Sequence, residues 1–160
     1  MPDLKKKYSA LKEWDKVEFL MQIEFETREG MWDLLNSIIL DQDDYDLARI
    51  QALKILEIAE VNTPHKAMLA QSLAQVLKQD NDDDVRNYAA IASRNFMEFD
   101  MVSAVAVEIL QNNAEDMNIR YSVFSAIVGS QQADLRKLVL TQLLNDPEFA
   151  RSAARYLGVN

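Results

Sequence analysis

The chain has no cysteine, one histidine, three glycines and three prolines among its 160 residues. The absence of cysteine excludes disulfides, cysteine-ligated zinc and thiol nucleophiles, and it favours a reducing compartment. So few glycines and prolines leave little material for the many turns of an all-β fold. The composition therefore predicts helices joined by short loops.

The chain also has no long apolar run and no excess of basic residues. No apolar stretch approaches the length that spans a membrane, and none follows the basic residues 5–7 as it would in a signal peptide. The formal net charge is −9, whereas a nucleic-acid-binding protein needs a basic surface to neutralise phosphates. We therefore expect a cytoplasmic protein that binds neither nucleic acid nor a membrane. Its expected partner is another protein with a basic surface.

Apolar residues recur at spacings of three and four, as on one face of a helix. Leu69, Leu73 and Leu77 are one such set, and no convincing alternating strand segment is present. Pro64 and Pro147 are predicted at first-turn positions, where a missing N–H costs little. The predicted helices are 3–13, 15–28, 31–40, 45–61, 64–79, 84–98, 100–112, 117–129, 132–144 and 147–157.

Four segments, residues 46–52, 83–89, 116–123 and 146–154, align on an arginine. Each has an acid, then an apolar residue directly before the arginine, then a small apolar residue three positions after it. The arginines lie 37, 34 and 31 residues apart, which is the length of one helix pair with its turns. The chain is therefore predicted to be built from repeated helix pairs. The aligned arginines are Arg49, Arg86, Arg120 and Arg151.

This pattern resembles the HEAT-like repeat family, in the bacterial style associated with phycobilisome lyases. The closing Leu157-Gly158 matches that family's motif, whereas the segments around Arg49 and Arg86 lack the closing glycine. The resemblance covers residues 44–158 and implies an all-α fold, an α-solenoid of about four stacked helix pairs. Residues 1–43 would form an N-terminal helical cap or a degenerate repeat, within one domain spanning 1–160.

The four repeat arginines are predicted to form a structural ladder. Each would reach loop acids of the same or a neighbouring repeat, because a guanidinium forks onto a carboxylate. A direct role of these arginines in ligand binding is the alternative.

The segments between helix pairs hold twelve of the 26 acids and no lysine or arginine. Asp46 and Asp84 are predicted helix caps. The surplus predicts an acidic ridge that meets a basic protein face, and the alternative is that these acids only solvate the loops. The predicted ridge is Asp41, Asp43, Asp44, Asp80, Asp82 and Asp83.

A second predicted binding surface is a groove along the second helix of each pair, where polar residues lie between apolar ones. The N-terminal segment is rich in aromatics, which would cap the stack or form a binding patch. The groove candidates are Trp32, Asp33, Asn36, Gln71, Gln75, Lys78, Glu108 and Lys137.

No catalytic residue, metal or cofactor is predicted. His65 has no second histidine or cysteine to share a metal. The two Asp-rich segments lack the glycine and glutamate of a calcium-binding loop in the required register.

The predicted function is a non-catalytic protein-binding module, for example an immunity-type inhibitor that neutralises a toxin or nuclease through its acidic surface. The resemblance implies an alternative, a bilin lyase-type or chaperone subunit that binds a tetrapyrrole. A HEAT-like DNA-repair glycosylase is a third alternative, which the acidic charge disfavours because such an enzyme needs a basic groove.

Helical periodicity throughout the chain sets an expectation for circular dichroism. We expect about 70–80% helix, against a globular average of about a third. A spectrum with substantial strand content would contradict the predicted fold class.

Overall fold

The computed structural model describes residues 3–26 and 28–159, and within these ranges the chain is all-helical, with 74% helix and no strand. The predicted all-α class and the number and order of the α-helices are confirmed. The described α-helices are α1 (Leu4–Ser9), α2 (Trp14–Ile23), α3 (Met31–Leu40), α4 (Asp46–Ile58), α5 (Thr63–Gln79), α6 (Asp83–Ala92), α7 (Asp100–Gln111), α8 (Met117–Gly129), α9 (Ala133–Gln142) and α10 (Ala150–Leu157), and 3-10 turns at Ser93–Phe96 and Leu143–Asn145 follow α6 and α9.

Several helix ends differ from the prediction. The first two helices end earlier, at Ser9 and Ile23, and the last begins later, at Ala150. Pro64 lies in the first turn of α5, as predicted. The prediction for Pro147 is wrong, because Pro147 belongs to the turn before α10. The carboxylate of Asp146 closes that turn by accepting the backbone N–H groups of residues 148 and 149.

Aspartate side chains begin two of the central helices. Asp82 caps α6 by accepting the N–H groups of Asp84 and Val85 at 2.9 and 3.1 Å. Asp116 caps α8 by accepting the N–H of Ile119 at 3.1 Å. The predicted cap at Asp84 is therefore wrong by two residues. Asp46 accepts only the N–H of the next residue and does not cap α4.

The helices form two rows. Helices α2, α4, α6 and α8 each contact the next member of one row, and α1, α3, α5 and α7 do the same in the other. Consecutive helices, such as α3 with α4 and α5 with α6, connect the rows. The buried side chains between them, including Leu35, Leu53 and Leu73, belong to one continuous apolar cluster. Burial of this cluster is the main favourable term in folding, since one helix pair cannot cover its own apolar face.

Basic side chains in the first row tie the connecting segments together. Arg49 is 2% exposed, and its guanidinium donates to the carboxylate of Asp80 and to backbone carbonyls at the end of α3. Arg86 donates from both Nη atoms to Glu115, at 2.8 and 2.7 Å, and from Nε to the carbonyl of Leu77 at 3.0 Å. Each arginine thus joins the end of the preceding helix to an acid of the next connecting segment.

The same arrangement extends in both directions along the row. Arg120 is 2% exposed and donates to Asp146 at 2.8 Å and to the carbonyl of Leu110. At the other end, the ammonium of Lys16 pairs with Asp44. We call these four pairs, Lys16–Asp44, Arg49–Asp80, Arg86–Glu115 and Arg120–Asp146, the ladder. Arg151 occupies the same sequence register but is exposed, and it forms no ion pair within the part of the chain that the structure describes.

Arg86 and Arg151 form a matched pair for testing the ladder. We expect Arg86→Ala to lower the free energy of unfolding by about 1–3 kcal/mol, because it strands the Glu115 carboxylate and the Leu77 carbonyl. Arg151→Ala should change it by less than about 0.5 kcal/mol, as at other exposed positions. Urea denaturation of both variants measures the difference. Equal stability of the two would contradict a structural role for the ladder.

Candidate functional site

The segments that precede α4, α6 and α8 lie side by side at one edge of the molecule. The side chain of Asn81 donates to that of Gln42 at 2.7 Å, which joins the first two segments. Arg86, near the start of α6, pairs with Glu115 of the third segment, and Arg120, near the start of α8, pairs with Asp146 of the segment before α10. Carboxylates that are more than thirty residues apart in sequence therefore share one surface.

This edge carries most of the protein's net negative charge. The twelve carboxylates of the connecting segments are met by the four ladder cations, which leaves a formal charge of −8 out of a total of −9. Like charges at this density attract a cation over a distance of about one Debye length, roughly 10 Å at 0.1 M salt. The twelve are Asp41, Asp43, Asp44, Asp46, Asp80, Asp82, Asp83, Asp84, Glu115, Asp116, Asp146 and Glu148.

Three residues of the predicted ridge have structural contacts instead of a free surface. The side chains of Asp44 and Asp80 are 5% and 3% exposed, because they pair with Lys16 and Arg49. Asp82 is half-buried and caps α6. This corrects the sequence assignment of Asp44 and Asp80 to an exposed surface, since a partner could reach them only by breaking the ladder.

The remaining ridge residues, Asp41, Asp43 and Asp83, are exposed. Further acids at the same edge are also exposed, although the sequence analysis left them out of the ridge. Asp46 is the first residue of α4, Asp84 lies in the first turn of α6, and Asp116 precedes α8. We call the six residues Asp41, Asp43, Asp46, Asp83, Asp84 and Asp116 the acidic edge.

Protonation states at this edge follow from the ladder contacts. The guanidinium of Arg86 lowers the pKa of Glu115 through its hydrogen bonds, and this outweighs the effect of burial. Burial alone would raise the pKa of Asp146. Hydrogen bonds from backbone N–H groups and from Arg120 lower this pKa by more, so the net shift is downward. Burial and the hydrogen bond to Asp44 raise the pKa of Tyr8, which therefore remains a hydroxyl donor. The lowered pKa values favour the charged form of Glu115 and Asp146.

Two of the eight predicted groove residues are not exposed, whereas the other six are. Trp32 is 6% exposed and belongs to the core, which corrects its assignment to a binding groove. The side-chain oxygen of Asn36 is buried. Lys78 and Glu108 face each other across α5 and α7, with 3.5 Å between Nζ and Oε2. The other groove candidates, Asp33, Gln71, Gln75 and Lys137, are exposed.

Two cavities lie instead along the seam between α6 and α8, and a third lies beyond them at the ends of α4 and α8. A cavity of about 280 Å³ lies between Asp83, Asp84 and Asp116 and reaches Tyr121 and Ser122. A second, also about 280 Å³, shares Tyr121 and Ser122 and extends past Ile91 to Arg94. A third, of about 560 Å³, shares Arg94 and extends beyond it to the ends of α4 and α8. We call the first two cavities, which share Tyr121 and Ser122, the α6–α8 groove.

The sequence analysis missed the α6–α8 groove because it assigned binding to the second helices. A signal was present in α8, where small residues recur at spacings of three and four on one face. These residues, Ser122, Ser125, Ala126 and Gly129, line the groove or the third cavity beyond it.

Nothing in the described residues forms a metal site. No group of three histidine, cysteine, aspartate or glutamate side chains within residues 3–26 and 28–159 could hold a metal ion. The ring of His65 contacts the side chain of Asn62, with 2.7 Å between Nδ1 and Oδ1. In the same ranges, no helix is long and apolar enough to cross a membrane.

Comparison of the chain with protein-family models, with curated proteins and with solved structures finds no match.

The structural role of Asp80 can be separated from the surface role of Asp43. We expect Asp80→Asn to cost roughly 3 kcal/mol of unfolding free energy, because it leaves the buried charge of Arg49 uncompensated. Asp43→Asn should change stability by less than about 0.5 kcal/mol, since Asp43 is exposed and asparagine keeps a side-chain oxygen. Thermal and urea denaturation compare the two, and a larger loss in Asp43→Asn would contradict the assignment.

Proposed function

We propose that this chain is an α-solenoid of HEAT-like helix pairs that works as a non-catalytic protein-binding module. The two rows of helices and the recurrence of the ladder in the repeat register support the solenoid. Each pair contributes one arginine and one connecting acid, as expected when equivalent units stack on their neighbours.

The charge left over at the acidic edge is the observation that carries the binding proposal. The ladder uses four carboxylates, and capping uses Asp82 and Asp116. Neither role accounts for Asp41, Asp43 or Asp84, and Asp83 has only a 3.3 Å contact with Arg86, whose guanidinium also binds Glu115. Crowding unpaired like charges destabilises the compact state through self-repulsion. A surface of this kind is therefore best explained by a cationic partner.

The partner chemistry follows from the sign and position of these charges. An exposed row of carboxylates steers a basic protein surface over long range and raises the rate of encounter more than it slows dissociation. One concrete version is an immunity-type inhibitor, whose acidic edge occupies the basic nucleic-acid-binding face of a toxin or nuclease. Such a face is built to neutralise phosphates, so carboxylates at similar density can replace them.

A charge-neutralised variant tests this function. The edge variant carries Asp41→Asn, Asp43→Asn, Asp83→Asn and Asp84→Asn, and it leaves every ladder residue intact. We expect the wild-type chain, immobilised and incubated with extract of its native host, to retain a basic protein. With that protein purified, stopped-flow association at 50 mM salt should be about tenfold slower for the edge variant, with a smaller change in dissociation rate.

A matched control removes the same charge elsewhere. Asp33→Asn, Asp100→Asn, Glu108→Gln and Asp134→Asn change four exposed acids on α3, α7 and α9. Both variants have the same net charge, so we expect only the edge variant to associate slowly. Equal rates for wild type and edge variant at low salt would overturn the proposal. Slow association of the control alone would move the binding surface to α3, α7 and α9.

A further inference from the structure

We propose that α1 and α2, at the N-terminal end of the stack, form an interface at which two copies of this chain pair about a two-fold axis. The inference goes beyond the protein-binding function, because it concerns residues outside the acidic edge and a partner of a different kind. It is carried by an uncovered apolar face on α2 and by charges of opposite sign on the two helices.

Helices α1 and α2 form the first layer of the two rows. Helix α1 packs on α3, and α2 packs on α4. The rings of Tyr8 and Phe19 hold the two helices side by side, with 6.3 Å between the ring centroids. The described helices continue from this layer in one direction only. Its opposite side is therefore an end of the stack, where a solenoid needs either a polar cap or a partner.

The outer face of α2 is apolar instead of polar. Trp14 and Phe25 are 52% and 82% exposed, and Met21 is 49% exposed. Spacings of seven and four place these three residues on one face of α2 and of the turn that follows it, away from the buried Leu20 and Ile23. Large apolar side chains that are exposed together mark an interaction surface.

Charges of opposite sign lie on the two helices of this end. Residues 3–12 carry four lysines and one acid, whereas residues 13–26 carry five acids and one lysine. On α1, Lys5, Lys6 and Lys7 are exposed, and on α2, Asp15 and Glu18 are exposed. None of these five forms an ion pair within the part of the chain that the structure describes. The end of the stack therefore has a cationic half and an anionic half.

The other charges of this end do not change that division. Lys12 and Glu13 are adjacent and of opposite sign. The rest have contacts within the chain, and these are Lys16 with Asp44, Glu26 with Arg28, Asp3 with the N–H of Lys5, and Glu24 with the side chain of Gln51.

A second copy of the chain fits this end better than a partner of one charge sign. A basic surface would meet like charge at α1, and an acidic surface would meet it at α2, which costs free energy. With a two-fold axis parallel to the helices, α1 of each copy lies over α2 of the other. The lysine stems then cover Trp14 and Met21, while their ammonium groups reach Asp15 and Glu18. The same contact forms twice, as in other isologous dimers.

The size of the two helices sets the expected strength of pairing. Helix α2 is about 15 Å long at 1.5 Å per residue, and packed helix axes lie about 8–10 Å apart. Such an interface is below the standard size, so we expect a dissociation constant on the order of 10 μM. In sedimentation equilibrium from about 5 μM to about 500 μM, the full-length chain should change from monomer to dimer and form nothing larger, because a two-fold contact is closed.

Reversal of charge on each helix separately tests the pairing of α1 with α2. The α1 variant carries Lys5→Glu and Lys6→Glu, and the α2 variant carries Asp15→Lys and Glu18→Lys. Each variant alone brings like charges together at both contacts, so we expect its dissociation constant to rise about tenfold. An equal mixture of the two should form a heterodimer with about the wild-type affinity, because lysines again face acids at both contacts.

Loss of the apolar face is tested with a matched control. We expect Met21→Ser with Phe25→Ser to weaken pairing about tenfold, since the partner then covers much less apolar surface. Leu138→Ser removes a side chain that is 56% exposed on α9, and it should pair as the wild type does. These positions are exposed, so circular dichroism and thermal melting should show a wild-type fold for both variants.

Three results would overturn the inference. The first is a chain that stays monomeric at the highest concentration. The second is a mixture of folded α1 and α2 variants that pairs no better than either variant alone. The third is growth beyond a dimer, which would indicate an open head-to-tail contact in place of a two-fold one. All of these measurements use the chain without another protein, so their failure would leave the protein-binding function of the acidic edge standing.

Discussion

The burial of a charged guanidinium is the constraint on which the rest of this structure depends. Arg49 and Arg120 are each 2% exposed, and a charge in such a place is stable only when it is paired and hydrogen-bonded. The pairing acid comes from the next connecting segment, and the carbonyl acceptors come from the end of the preceding helix. One side chain therefore fixes the relative positions of three successive parts of the chain, and repetition of this contact sets the spacing of the first row.

The ladder divides the acids of one edge into two groups with different consequences. Asp44, Asp80, Glu115 and Asp146 lie five or six residues before the basic residue of their own helix, and each pairs with the basic residue one repeat earlier. Acids at other positions of the same segments are free of this role. Composition alone cannot separate the groups, because both are aspartate-rich and adjacent in sequence. The separation matters, since neutralising the first group damages the fold, whereas neutralising exposed acids such as Asp41, Asp43 and Asp84 changes mainly the surface charge.

Much of the architecture could be predicted from the sequence, because helical periodicity and the arginine register are local patterns. The helices were found in number and order, and Pro64 was placed correctly. Trp32 was placed incorrectly on an exposed surface. Successive helical residues point about 100° apart, and the buried side of a helix depends on which helices pack against it, which periodicity does not identify. Asp44 and Asp80 were assigned to the surface because their partners lie 28 and 31 residues away. The α6–α8 groove was missed for the same reason, since its two walls come from different repeats.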